Sequence, residues 1–207
     1  MKRTLVGLLT LTGISFAGPM TTQAAVFQVD LSPGPGVALN LGANPYTQDH
    51  AVGLSGLNES PAVVLSGSGN EIGAGISYDD VSNQLSFDLA YGSAFGFSDL
   101  VGNLTVLHVH GPGLVNFPGP NINAGVQFGL AGFHTPSGTK SGRITGNQVL
   151  TAAQEQLLID NALYVNIHSD VNPGGEIRAQ LILVPEPTTF TLLGLGSLAL
   201  MVMRRRK

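Results

Sequence analysis

Tyr164-Val165-Asn166-Ile167-His168-Ser169-Asp170-Val171-Asn172-Pro173-Gly174-Gly175-Glu176-Ile177-Arg178-Ala179-Gln180-Leu181 reads as strand, tight turn, strand. Apolar residues alternate on both arms, and Asn172-Pro173-Gly174-Gly175 supplies the fixed φ and the positive φ that a chain reversal needs. Side chains alternate across a strand, so Leu163, Val165 and Ile167 share one face and Tyr164, Asn166 and His168 the other. The first face is core, and His168 stands on the face opposite.

Outward from this hairpin, short alternating runs with turn residues between them recur at 62–66, 72–78, 84–91, 104–110, 126–130, 142–145, 163–168 and 176–183. The period-2 signal is cleanest in Leu85, Phe87, Leu89 and Tyr91, and the residues from Tyr78 to Asn83 form a hairpin connection into that strand. One helix interrupts the series: Thr151-Ala152-Ala153-Gln154 has the form of a capping box, Leu157 and Leu158 give the next turn an apolar side, and the helix should end near Asn161. The pattern predicts an all-β domain, an antiparallel sandwich or Greek-key barrel with one short helix, over residues 51–183. Residues 25–50 are rich in Gly, Pro and Asn and read as a lead-in of loops with at most one edge strand.

Both ends carry addresses. Residues 1–24 combine Lys2-Arg3, an apolar run and small residues before Ala25, the pattern of a secretory signal peptide cut by signal peptidase after Ala24. At the other end Val184-Pro185-Glu186-Pro187 precedes an apolar run at 188–203 and the basic tail Arg204-Arg205-Arg206-Lys207. Those 16 residues give about 24 Å of helix against a hydrocarbon core of ~30 Å, which snorkelling arginines make workable for one membrane pass. The basic tail then stays cytoplasmic and the domain lies outside the membrane. The order of parts, Pro185-Glu186-Pro187, one apolar helix and Arg204-Arg205-Arg206, resembles the PEP-CTERM sorting signal of Gram-negative bacteria. The resemblance implies an inner-membrane anchored precursor and recognition by an exosortase-type membrane protease. It also implies release to the cell surface or extracellular matrix, alongside exopolysaccharide or other surface proteins.

The 207 residues contain no Cys and 28 Gly, so disulfides and thiolate metal sites are excluded and packing must hold the domain. In residues 25–187 only Lys140, Arg143 and Arg178 face all 13 acidic residues, a formal charge of −10 (3 − 13). Such a domain has no footprint for nucleic acid or anionic lipid; metal ions and basic partners suit it.

Four blocks are similar to the CHRD domain, the module named after chordin and found in bacterial surface proteins. They are Leu57-Asn58-Glu59-Ser60-Pro61-Ala62, His108-Val109-His110-Gly111-Pro112-Gly113, Leu150-Thr151-Ala152-Ala153-Gln154, and the run from Asn161 through the hairpin to Leu181. The resemblance implies an all-β, immunoglobulin-like fold; it implies no reaction, and chordin itself acts by binding extracellular signalling proteins.

His108 and His110 are two apart on a strand and project from one face. With Leu107 and Val109 in the core, they and His168 all stand outward, and three neutral imidazoles on neighbouring strands make a first shell for copper or zinc. The alternative is that these rings hydrogen-bond turn backbone such as that of Gly111 and Gly174. His-x-His on one strand, a later strand with His and a following Gly-Gly-x-x-Arg also resemble the copper ligands of copper/zinc superoxide dismutases. That likeness implies His108, His110 and His168 as ligands and Arg178 as an anion-steering group. The bridging His, the dense zinc loop and the disulfide of those enzymes have no counterpart here. His134 and His50 are weaker candidates for a fourth ligand, and Arg178 with Glu176 on the same strand face suggests a cross-strand ion pair. Asp170, Asn172 and Glu176 lack the spacing of an EF-hand loop, and no nucleophile elbow or phosphate-cradling loop is present. The expectation is therefore a non-enzymatic exported binding protein, with a metal-binding, dismutase-like protein as the alternative.

Overall fold

The computed structural model describes residues 26–31, 52–113 and 123–184. The hairpin forms as its sequence dictates: β10 (Tyr164–Ser169) pairs antiparallel with β11 (Ile177–Val184), Val165 opposite Ala179 and Ile167 opposite Ile177. Gly175 adopts a φ of +132°, and the turn is closed by Gly175 N–H to Asn172 O (3.1 Å) and Glu176 N–H to Ile167 O (2.8 Å).

The other strands are β1 (Val26–Leu31), β2 (Leu54–Ser55), β3 (Ser68–Glu71), β4 (Ile76–Asp79), β5 (Gln84–Tyr91), β6 (Leu104–His110), β7 (Val126–Gly129), β8 (His134–Pro136) and β9 (Gly142–Val149). They join one antiparallel sheet in the order β1-β4-β5-β3-β2-β11-β10-β6-β7, with β9 on the free edge of β5 and β8 on β9. Because β1 also pairs with β11, the path from β1 through β5 to β11 closes on itself, barrel-like. The core is filled by alternate residues: Leu85, Phe87, Leu89 and Tyr91 of β5, Leu107 and Val109 of β6, Val165 and Ile167 of β10, and Ile177, Ala179 and Leu181 of β11. Full burial of such an aliphatic side chain stabilises by about 1.5–3 kcal/mol, so this set carries the fold.

Strands β5 and β6 occupy the spans that periodicity assigns them. The single helix, α1 (Ala152–Ile159), has the complete capping box, with Thr151 Oγ1 accepting from Gln154 N–H and Gln154 Oε1 from Thr151 N–H.

Three expectations differ. Residues 62–66 form no strand: Ser66 Oγ accepts the Gly56 N–H and the Val63 N–H bonds Gly56 O, so a loop folds back on itself and leaves Leu65 at φ +57° and 94% exposed. The run has apolar residues but no alternation, and local hydrogen bonds satisfy its backbone without a ladder. The 72–78 stretch is split by a turn with Gly73 and Gly75 at positive φ, and only its second half is strand. The lead-in contributes β1, which is not an edge but is paired on both sides, by β4 and by β11. The sheet therefore begins ahead of residue 51. The signal peptide, the 188–203 helix with its basic tail, and His50 lie outside the described residues. Among the described residues no helix is long and apolar enough to cross a membrane.

Candidate metal centre

Register places the histidines. On β10, Tyr164 stands opposite His110 of β6, Asn166 opposite His108 and His168 opposite Val106; on the other side Asn166 faces Arg178 and Tyr164 faces Gln180 of β11. The face of these three strands turned away from the core is thus a patch in which Asn166 sits at the centre, with His108 and Arg178 to either side along the pairing direction. His110 and His168 lie toward opposite corners of that patch.

The three rings converge. Ring centroids are 5.5 Å apart for His108–His110, 5.5 Å for His108–His168 and 5.6 Å for His110–His168. One nitrogen from each ring lies within 4.8 Å of the other two. A tetrahedral ion with bonds of ~2.0–2.1 Å sets its ligands about 3.4 Å apart, so small side-chain rotations bring this set into range.

Chemistry agrees with geometry. His110 Nδ1 is 2.9 Å from Ala124 O and His168 Nδ1 is 3.0 Å from Pro173 O. A carbonyl only accepts, so each Nδ1 carries the proton and each Nε2 presents a lone pair. Those two Nε2 atoms, and Nδ1 of His108, are buried without a hydrogen-bond partner among the described residues. Metal-ligating histidines characteristically donate the second ring N–H to a carbonyl in this way. Burial, partly opposed by the carbonyl bond and reinforced by the neighbouring histidines, pulls His110 and His168 below the usual imidazole pKa. That favours the neutral, ligating form.

The face is not open to solvent as alternation alone suggests. His110 and His168 are each 8% exposed and Arg178 is fully buried, because the polar face is roofed by the 123–125 segment, the 170–176 turn and the loop before β3. The expectation that the rings hold turn backbone is met in kind by His110 and His168, through Ala124 and Pro173 rather than Gly111 and Gly174. That occupies only one nitrogen per ring. Arg178 does not form the expected ion pair with Glu176: its guanidinium stacks 3.5 Å over the Tyr164 ring and donates to Asn123 Oδ1 and Gln180 Oε1. Glu176 instead accepts from the backbone N–H groups of Gly67, Val101 and Gly102 and from Ser169 Oγ–H. His134 lies elsewhere, stacked on Tyr91 with Nε2 3.0 Å from its hydroxyl oxygen. Asp170 is occupied by Asn103.

The spacing arguments missed Tyr164 and Ala124. Tyr164 shares His168's face in the opening stretch and was legible there; nothing in the sequence around Ala124 marks it.

Against family models, residues 50–181 match the CHRD domain. The chain belongs to the CHRD domain family. A second match, the PEP-CTERM protein-sorting motif, covers residues 183–207 and supports an exported protein sorted by exosortase from a membrane-anchored precursor. No curated protein and no solved structure matches the chain. The CHRD match encloses all three histidines, and β1 lies ahead of it, so this CHRD domain recruits a strand from outside the matched region.

Proposed function

We propose that this CHRD protein binds one copper or zinc ion through His108 Nδ1, His110 Nε2 and His168 Nε2, and that it does so at the cell surface or in the extracellular matrix after exosortase processing. One observation carries the reading: three imidazoles meet on a roofed polar face, each with a buried ring nitrogen that has no partner among the described residues. A buried polar atom left unpaired costs roughly 1–3 kcal/mol, and an ion bonded to all three removes that cost at once. All three donors are neutral nitrogens, which suit copper and zinc better than calcium or magnesium.

The role is binding rather than catalysis. A dismutase-like reaction needs an open ligand position and a positive group at its mouth, whereas Arg178 is fully buried beneath Tyr164 and Asn123. The acidic remainder of the domain favours cationic company over anionic substrates.

Titration of metal-free protein with Cu²⁺ or Zn²⁺ tests the reading. One ion per chain is expected, with binding abolished in the triple variant His108→Ala/His110→Ala/His168→Ala. No binding, or equal binding by that variant, refutes it.

A further inference from the structure

Two residues of the roof, Asn123 and Ala124, are held from several directions. Asn123 Nδ2 donates to Ser60 O (2.7 Å) and its Oδ1 accepts from Arg178 (3.3 Å). Ala124 N–H donates to the Tyr164 hydroxyl (2.9 Å), and that hydroxyl lies 3.5 Å from Ala124 O. The same Ala124 O receives the Nδ1 proton of His110 at 2.9 Å. Tyr164 also lies against His110 face to face, with ring centroids 5.1 Å apart and planes 12° from parallel, while Arg178 covers the other side of the tyrosine.

The consequence concerns the proton on His110. A neutral imidazole carries its hydrogen on either nitrogen, and only the Nδ1–H form leaves Nε2 free to bind an ion. The Ala124 carbonyl selects that form, the tyrosine hydroxyl holds Ala124 on both sides by taking its N–H and lying 3.5 Å from its carbonyl oxygen, and the stacked ring fixes the plane of the imidazole. We infer that Tyr164, backed by Arg178, is a positioning residue of the metal centre that sets the tautomer and orientation of His110. This extends the metal-binding reading above and gives Arg178 a structural role behind the ligand rather than an anion-steering role in front of it.

Tyr164→Phe in the full chain is the direct test, because it keeps the stacked ring and removes only the hydroxyl. Two readouts are taken. In metal-free protein, ¹⁵N shifts of the histidine ring nitrogens report the His110 tautomer. The wild type should show one Nδ1–H form, and the variant a mixture. In metal titrations the variant should bind Zn²⁺ roughly 10–100-fold more weakly, the usual effect of losing an outer partner of a metal ligand. Should Tyr164→Phe fail to fold, Asn123→Ala, at an exposed position, loosens the same segment and should move both readouts in the same direction. A single unchanged tautomer in the variants overturns the inference, whether or not affinity falls. If the wild type binds no metal, the metal reading falls separately, and the tautomer measurement still decides the role of Tyr164.

Discussion

Replacing Glu176 by Gln should destabilise the domain far more than a change of one charge on a surface would. Glu176 is fully buried, and its carboxylate receives Val101 N–H at 2.5 Å, Gly67 N–H at 3.3 Å, Gly102 N–H at 3.3 Å and the Ser169 hydroxyl. It therefore ties the turn after β10 to two loops distant in sequence. Burial alone pushes its pKa up, but the four hydrogen bonds outweigh burial and hold the carboxyl below its ordinary value. Glutamine keeps the shape. It keeps an acceptor for Val101 and Gly67, without the charge, at a loss of about 0.5–1 kcal/mol for each bond. Its amide nitrogen, however, faces the buried Gly102 N–H, donor against donor, which costs about 1–3 kcal/mol; the Ser169 hydroxyl can rotate to accept. The total is roughly 3 kcal/mol, or roughly 6–12 °C in melting temperature for a domain of this size.

Urea unfolding at pH 7 measures it, and acid supplies the control. A carboxyl whose folded pKa is depressed contributes stability that is present above its unfolded pKa and lost as pH falls through the folded one. The gap between wild type and Glu176→Gln must therefore narrow on acidification. Coincident unfolding curves at pH 7 would refute the hydrogen-bond reasoning. A gap unchanged between neutral pH and the lowest pH at which both proteins fold would show that charge is not its source.

Three further outcomes are expected. At a free ion concentration 100 times its dissociation constant, copper or zinc should stabilise the wild type by about 2.7 kcal/mol, about 5–11 °C by differential scanning fluorimetry, and the triple histidine variant not at all. Burial, helped by Asp30 and opposed by the Leu31 N–H bond, raises Glu71 to about 7, so this group favours folding only while protonated, and its contribution fades as pH rises from 4.5 to about 7. Glu71→Gln should accordingly unfold at higher urea than wild type above pH 7 and at equal urea near pH 4, a ranking that chemical denaturation at the two pH values checks. Replacing Pro185, Glu186 and Pro187 by Ala should leave the precursor in the inner membrane of exosortase-positive cells, seen by immunoblot of membrane and culture fractions.

Much of this was legible because the histidines sit on strands whose partners are fixed by strong local signals. Asn172-Pro173-Gly174-Gly175 determines the β10–β11 hairpin, and alternation along 104–110 and 163–168 determines which face each imidazole takes. The adjacency of β6 and β10 was not legible: 53 residues separate His110 from Tyr164 (164 − 110 − 1), and periodicity carries no information on long-range pairing. Burial of the polar face was hidden for a related reason, since its roof is contributed by Ala124, Pro173 and Asn58, three irregular segments that alternation does not describe. The 62–66 run misled because apolar residues without alternation are compatible with a strand but do not require one.

The polar layer on the far side of β6, β10 and β11 is expensive to build. Asn58, His110, Asn166, His168, Glu176, Arg178 and Gln180 are all buried there; all but Asn166 give up water for hydrogen bonds that return about what was lost, and Asn166 Oδ1 has no partner among the described residues. An apolar layer of equal volume would serve stability at least as well. Some of these residues still repay their burial in the architecture: Gln180 Nε2 bridges Gly113 O and Asn161 O, Asn58 Nδ2 bridges Gly53 O and Arg178 O, and Glu176 gathers two loops. His110 and His168 each spend one ring nitrogen on a loop carbonyl and leave the other buried without a partner among the described residues. What imidazole adds is the lone pair across the ring, and three such lone pairs brought close together are what the proposed ion would use.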